Sequence, residues 1–340
     1  MKLIKTEDAV GQILCHDITQ IIRGVTKDAV FRKGHVITEA DIPVLLSVGK
    51  ENIYVWENDE TMLHENDAAE ILCKLCMGDN LTRGEVKEGK IELRASIDGV
   101  LKIDREKLIK VNSAGEMMIA SRHGDFPVKK GDKVAGTRII PLVIKKEKMQ
   151  DIYDKTGPAI FNVKPYVHKK VGIVTTGSEV LKGRIEDTFT PVIREKLAEY
   201  DTEVIGQKMT GDNHEVISEA IEEFINNGAD MVVTTGGMSV DPDDRTPLAI
   251  KNTGARIVSY GAPVLPGAMF MLAYYGNTNI PIVGLPGCVM YAKRTIFDLV
   301  LPRVMADDMI AAEELNGLGE GGLCLGCDIC TFPNCGFGKH

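Results

Sequence analysis

Two apolar runs that break at glycine turns constrain this chain more than any other feature. Val171 to Val174 breaks at Thr175-Thr176-Gly177, and Met231 to Val233 breaks in the same way at Thr234-Thr235-Gly236-Gly237. Both read as buried parallel strands ending in permissive turns. Between them the pattern predicts a helix from about Pro191 to Tyr200, a short apolar segment at Glu203 to Gly206, and a second helix from about His214 to Asn227. That helix places Val216, Ile217, Ala220, Ile221, Phe224 and Ile225 on one stripe, with Glu215, Glu219, Glu222 and Glu223 largely away from it. Asp212 or Asn213 can cap it. The expectation is a strand, helix, strand, helix, strand unit with its glycine turns at the carboxyl ends of the strands, where open α/β sheets bind ligands.

The turns carry the chemistry. At the first, Thr176, Gly177, Ser178 and Glu179 combine a backbone that can pass close to a ligand with hydroxyl donors and one carboxylate acceptor. The second adds Gly236, Gly237, Ser239, Asp241, Asp243, Asp244, Arg245 and Thr246. Three carboxylates beside one guanidinium repel a bare anion, so an acid here binds Mg²⁺, pairs with Arg245 or meets a neutral ligand edge; a capped surface loop is the bland alternative. Asp241 and Asp244 are the candidate catalytic groups. Neither turn has the spacing of a dinucleotide or phosphate-loop fingerprint, which disfavours a dinucleotide enzyme. A third apolar run leads into Leu285-Pro286-Gly287-Cys288 and a helix expected from Tyr291 to Val304, whose amino end would favour anions beside the same crevice. Cys288 at that entrance is either a thiol of lowered pKa or a buried inert one.

The rest of the chain divides by texture. Residues 1–80 read as an α+β module, with GQILCHDI and ENIYVW as strand candidates, a solvated or anion-facing turn at Arg32-Lys33-Gly34-His35, and a helix over His64 to Gly78 that carries Cys73 and Cys76. This lone Cys-x-x-Cys is read as structural in preference to redox or metal-linked, since nothing nearby supplies further ligands. Residues 81–167 read as a β-rich module of short strands and tight turns, in which Arg122 and His123 are surface groups or anion contacts. A Gly- and Pro-containing approach ends near Pro165 to Lys170 and opens the main domain, residues 168–305. The formal charge of −9 argues against a general nucleic-acid partner. No run reaches membrane-spanning length and no signal-like segment opens the sequence, so a cytoplasmic setting is expected.

Residues 306–340 form a glycine-rich connection and a tail. Gly317, Gly319, Gly321 and Gly322 suggest flexibility, and Cys324, Cys327, Cys330 and Cys335 follow as Cys-x2-Cys-x2-Cys-x4-Cys. Four thiolates this close can surround zinc or an iron–sulfur cluster, or remain a metal-free thiol segment.

VTTGSEV, GDNHEVISEAIEEFINNGADMVVTTGGMSV, VLPG and the IVGLPG turn resemble the molybdopterin-binding family of molybdenum cofactor biosynthesis, over about residues 168 to 305. The resemblance implies a three-layer α/β/α molybdopterin-binding domain. It also implies binding of the phosphorylated pyranopterin dithiolene, as molybdopterin or molybdenum cofactor, by Thr176, Gly177, Ser178, Glu179, Gly236, Gly237, Ser239 and Pro286-Gly287. Arg245, Thr246 and Cys288 complete the candidate set. The N-terminal module resembles outer parts of the molybdenumtransferase branch, whereas Asp243-Asp244-Arg245-Thr246-Pro247 is closer to the adenylyltransferase branch. The transferase's Pro-Gly-Lys-Pro stands here as Pro266-Gly267-Ala268-Met269, without its lysine, Leu-Pro-Gly-Asn-Pro stands as Leu285-Pro286-Gly287-Cys288-Val289, and a short tail takes the place of the branch's C-terminal β domain. Two functions follow as expectations: insertion of molybdenum from molybdate into adenylylated molybdopterin with help from Mg²⁺, or noncatalytic carriage of the cofactor to a molybdenum-enzyme client. A homodimer is expected in either case.

Overall fold

The computed structural model describes residues 1–22, 26–55 and 59–339, and the chain divides into two compact units. Trp56, the last residue of the ENIYVW candidate, lies outside the described residues; the strand itself runs Asn52–Val55 and pairs antiparallel with Lys2–Lys5. The first unit holds residues 1–96, 103–122 and 131–162. Its N-terminal part buries Leu14, Ile18, Ile37, Leu45 and Ile53 in a small core of its own. The Arg32-to-His35 turn is tied down locally, with His35 Nε2 2.7 Å from Asp41 and the Lys33 amide donating to Asp17. A helix over Glu65–Cys76, capped by His64, buries Cys73 and Cys76. The β-rich stretch forms a four-stranded sheet from Leu81–Arg83, Lys90–Ala95, Lys133–Ile139 and Met117–Ser121, and it also contains a helix, Arg105–Ser113, that strand-like texture did not announce. Residues 97–102 and 123–130 belong to the second unit.

The second unit is built on a six-stranded sheet. Its elements are β1 (Lys169–Thr176), α1 (Ser178–Leu181), α2 (Phe189–Leu197), β2 (Thr202–Thr210), α3 (His214–Asn226) and β3 (Met231–Thr235). They are followed by α4 (Thr246–Asn252), β4 (Arg256–Tyr260), β5 (Met271–Tyr275), β6 (Ile280–Leu285), α5 (Ile296–Met305) and α6 (Ala312–Gly317). The strand order is β2-β1-β3-β6-β5-β4. β2, β1, β3 and β6 are parallel, and β5 and β4 join antiparallel, so the sheet is mixed.

Alternation along the strands makes the layers. On one face Val171, Ile173, Met231, Val233 and Leu285 meet Ile193 and Leu197 of α2 and Phe297 and Val300 of α5; on the other, Val174, Val232 and Ile282 meet Ile217, Ala220, Ile221 and Phe224 of α3 and Ile250 of α4. Each side chain of the Val/Leu/Ile/Phe class withdrawn from water here contributes roughly 1.5–3 kcal/mol before chain entropy is charged against it. The architecture is the three-layer α/β/α sandwich expected. Gly172 lets α3 come close, because a Cβ there would stand 2.4 Å from the Phe224 ring.

Several boundaries differ from expectation for local reasons. α2 begins earlier, at Phe189, since Asp187 accepts the amides of Phe189 and Thr190 at 2.9 and 3.1 Å. The segment at Glu203 is a full strand, β2. Asn213, not Asp212, caps α3, and Val216 is 45% exposed, off the buried stripe. The helix expected from Tyr291 is a 3₁₀ turn at Gly287–Met290 followed by α5, which starts only after Thr295 because that side chain caps Phe297 and Asp298 closes a capping box.

Candidate functional site

Crossing from β1 through α2 to β2 uses one face of the sheet, and returning through α3 to β3 uses the other, so the carboxyl ends of β1 and β3 flank the point where the winding reverses. An open α/β sheet leaves a crevice there. The parallel register aligns Thr175 with Thr235 and Thr235 with Leu285, which brings the three turns at Gly177, Gly236 and Pro286 to one edge.

Side chains join two of these turns. Thr176 Oγ1 donates to the Thr235 carbonyl at 3.0 Å and lies 3.1 Å from Thr246 Oγ1, and Thr246 Oγ1 donates to the Gly236 carbonyl at 2.8 Å. Both threonines are buried. A Cβ on Gly236 would stand 2.4 Å from the Thr176 carbonyl oxygen, and one on Gly237 2.8 Å from Thr246 Oγ1. The two glycines are therefore demanded by contacts inside the protein. Gly287 is different, as a Cβ there meets nothing within 4 Å. Neither packing nor a left-handed backbone requires glycine at that position, and the space above the turn is open.

Around this centre the first turn is fixed by the Gly177 amide donating to Thr210 O at 3.1 Å and the Ser178 amide to Asp212 at 3.2 Å. Glu179 is exposed beside it. In the second loop the Ser239 amide donates to Asp244 Oδ2 at 2.8 Å, Arg245 Nε donates to the Pro242 carbonyl at 2.7 Å, and the Asp244 amide donates to Asp241 O at 2.9 Å. Asp241 and Asp243 are exposed. Among the described residues no group of three or more His, Cys, Asp or Glu side chains is gathered so as to hold a metal ion. Pro286 is buried and Cys288 half-buried; burial pushes the Cys288 thiol up, which corrects the lowered-pKa alternative for it. The turn's 3₁₀ geometry offers too little helix at that point to offset desolvation of a thiolate.

Four supporting residues went unremarked in the sequence as site groups. Gln207 of β2 donates to Asp187 at 2.6 Å, to Thr190 at 2.7 Å and to Thr175 at 3.1 Å. Burial raises the Asp187 pKa, but hydrogen bonds from Thr190, Gln207 and the Phe189 amide outweigh it and hold the carboxyl below its usual range. Tyr260 donates to the Met238 carbonyl at 3.1 Å and so braces the second loop from β4. Asp187 could have been found as an Asp-x-x-Thr helix start; the partnerships of Gln207, Thr190 and Tyr260 have no local signature. The donor set at the edge (hydroxyls of Ser178 and Ser239, one guanidinium at Arg245, and an open glycine turn) suits a phosphorylated, hydrogen-bonding ligand.

Residues 172–306 match the family model described as "Probable molybdopterin binding domain", and residues 3–57 match one described as "Domain of unknown function (DUF8806)". The second unit thus carries a domain of the molybdopterin-binding superfamily. A CinA-like protein of Mycobacterium avium is 36% identical over 80 residues, which cover 24% of this chain and 18% of the relative, so the match spans under a fifth of that relative's length. Among solved structures, the molybdopterin biosynthesis enzyme MoaB of Thermus thermophilus is 26% identical, with a TM-score of 0.34, over 40% of this chain and 91% of that one. CinA of Thermoplasma acidophilum, a protein of unknown function, is 21% identical with a TM-score of 0.30 over 35% and 89%. No helix of the described residues is long and apolar enough to cross a membrane.

Proposed function

We propose that this protein binds the phosphorylated pyranopterin dithiolene across the carboxyl ends of β1, β3 and β6 and carries it, bare or metal-bearing, to a molybdenum enzyme. The observation that carries the reading is the Thr176–Thr246 hydroxyl pair, which makes one continuous edge from two glycine turns inside the segment matched by the family model. Ser178, Ser239 and Arg245 hold the phosphate, Thr176, Gly177, Gly236, Gly237 and Thr246 shape the floor, Glu179 accepts from the pterin, and Pro286-Gly287-Cys288 line the open side. The protein acts in the cytoplasm as a homodimer.

A second form of the reading is catalytic: molybdate is inserted into adenylylated molybdopterin while Asp241 and Asp244 act on an Mg²⁺-bound activating group. Two observations favour carriage. Asp244 is engaged with the Ser239 amide, and the loop Pro266-Gly267-Ala268-Met269 lacks a lysine to hold molybdate or phosphate. Incubation with adenylylated molybdopterin, Mg²⁺ and molybdate separates the forms: tight binding without turnover supports the carrier, AMP release coupled to metal insertion supports the transferase, and no binding of any molybdopterin form overturns both.

A further inference from the structure

All four tail cysteines line one cavity of about 490 Å³ on the second unit, together with Lys293 and Arg294. The segment that forms it is folded down at both ends. Leu265 donates its amide to Gly322 O at 2.8 Å and its carbonyl accepts the Cys324 amide at 2.8 Å, while Gly338 donates to Gly321 O at 2.9 Å. Phe337 is only 5% exposed and packs into the α2/α5 core, against which Cys324, Phe332 and Cys335 also rest. Lys339 Nζ donates to Pro333 O at 2.7 Å. The glycines expected as a flexible connection instead permit close packing: a Cβ on Gly322 would stand 2.4 Å from the carbonyl oxygens of Leu318 and Pro263.

None of the four thiols is in a disulfide; Cys324 and Cys335 are half-buried, and Cys327 and Cys330 are exposed. A single zinc ion needs its thiolates converged at about 2.3 Å from one point. Among the described residues no three such ligands converge on one ion, yet all four share one cavity far larger than an ion. A cavity of that size has room for a polynuclear cluster, in which each thiolate takes its own metal.

Charge agrees. Two ferrous and two ferric ions, four sulfides and four thiolates sum to a doubly negative cluster, with the four thiol protons released to solvent. Two cations stand at the same wall. Lys293 Nζ donates to the carbonyls of Cys327 and Asp328 at 3.2 and 2.7 Å, and the Arg294 guanidinium lies 5.1 Å over the Phe332 ring. Arg294 is in turn anchored to buried Asp298 at 2.8 Å.

We propose that Cys324, Cys327, Cys330 and Cys335 hold a [4Fe–4S] cluster, with Lys293 and Arg294 as its counter-charges. The site stands independently of molybdopterin binding. The test uses the full chain, purified without oxygen and supplied with ferrous and ferric iron in equal amounts plus sulfide. About four iron and four sulfide per chain and broad visible absorption are expected. The double variant Cys327→Ser/Cys330→Ser should lose both at least tenfold while keeping its far-ultraviolet dichroism and its molybdopterin affinity. Lys293→Gln should keep the iron but move the reduction potential lower, because reduction makes the cluster more negative and the lysine no longer offsets it. Iron below about one tenth of an equivalent, one tightly held zinc that excludes iron, or equal iron in the double variant would each overturn the proposal. An unchanged potential in Lys293→Gln would remove the counter-charge role of that lysine.

Discussion

Thr176 and Thr246 meet hydroxyl to hydroxyl at 3.1 Å, 70 residues apart in sequence, and through them the first strand end holds the second. Thr176→Val keeps shape but deletes the donor to Thr235 O and leaves Thr246 with one partner fewer. The expected cost is about 1–3 kcal/mol in urea unfolding, with a larger proportional loss of molybdopterin affinity. Unchanged stability and affinity would show that the pair does not hold the edge.

Gly236 makes a poor probe of the ligand, because any side chain there collides first with the Thr176 carbonyl at a positive φ of 83°. Gly236→Ala should destabilise the fold by about 1–3 kcal/mol whether or not ligand is present. Gly287→Ala, in open space, should leave thermal unfolding within about 0.5 kcal/mol of the parent. Its molybdopterin affinity should nevertheless fall, and calorimetric titration of both variants distinguishes a packing glycine from a ligand-facing one.

The Asp187 carboxyl has a lowered pKa in the folded protein, so its contribution is present above the ordinary carboxylate range and is lost as pH falls through the folded value. The stability gap between the parent and Asp187→Asn should therefore be widest near neutral pH and close in acid. A gap that grows on acidification would contradict the hydrogen-bonded carboxylate.

Asp298 is 3% exposed and binds Lys196 at 2.7 Å as well as Arg294. Asp298→Ala leaves a buried ammonium without its anion, which costs about 3–5 kcal/mol. Because Arg294 also lies over the Phe332 ring of the tail, this variant should loosen the tail, seen as faster proteolysis after Gly322 than in the parent.

Thiol reactivity should sort by environment. Burial raises the Cys73 and Cys76 thiols, Cys76 strongly, whereas Cys327 and Cys330 are exposed. In metal-free protein at neutral pH, iodoacetamide followed by mass mapping should label Cys327 and Cys330 first and Cys76 last. Early labelling of Cys76 would revive a redox role for the Cys-x-x-Cys pair.

The sequence by itself determined the α/β unit, because strand burial on both faces forces continuous apolar runs and an amphipathic helix forces its stripe. Val171 to Val174, Met231 to Val233 and the α3 pattern carry those signals within a single stretch of the chain. It also marked the glycine turns and the cysteine spacing. Only tertiary structure decided what those glycines do: Gly236 makes room for Thr176, and Gly287 faces open space, although both read alike in the chain. Gln207 and Tyr260 acquire their roles from partners on other elements, and no local pattern encodes a contact of that kind. The tail shows the same limit, since glycine spacing suggests a flexible connection until Leu265, Pro263 and the α2/α5 core supply the surface it packs against.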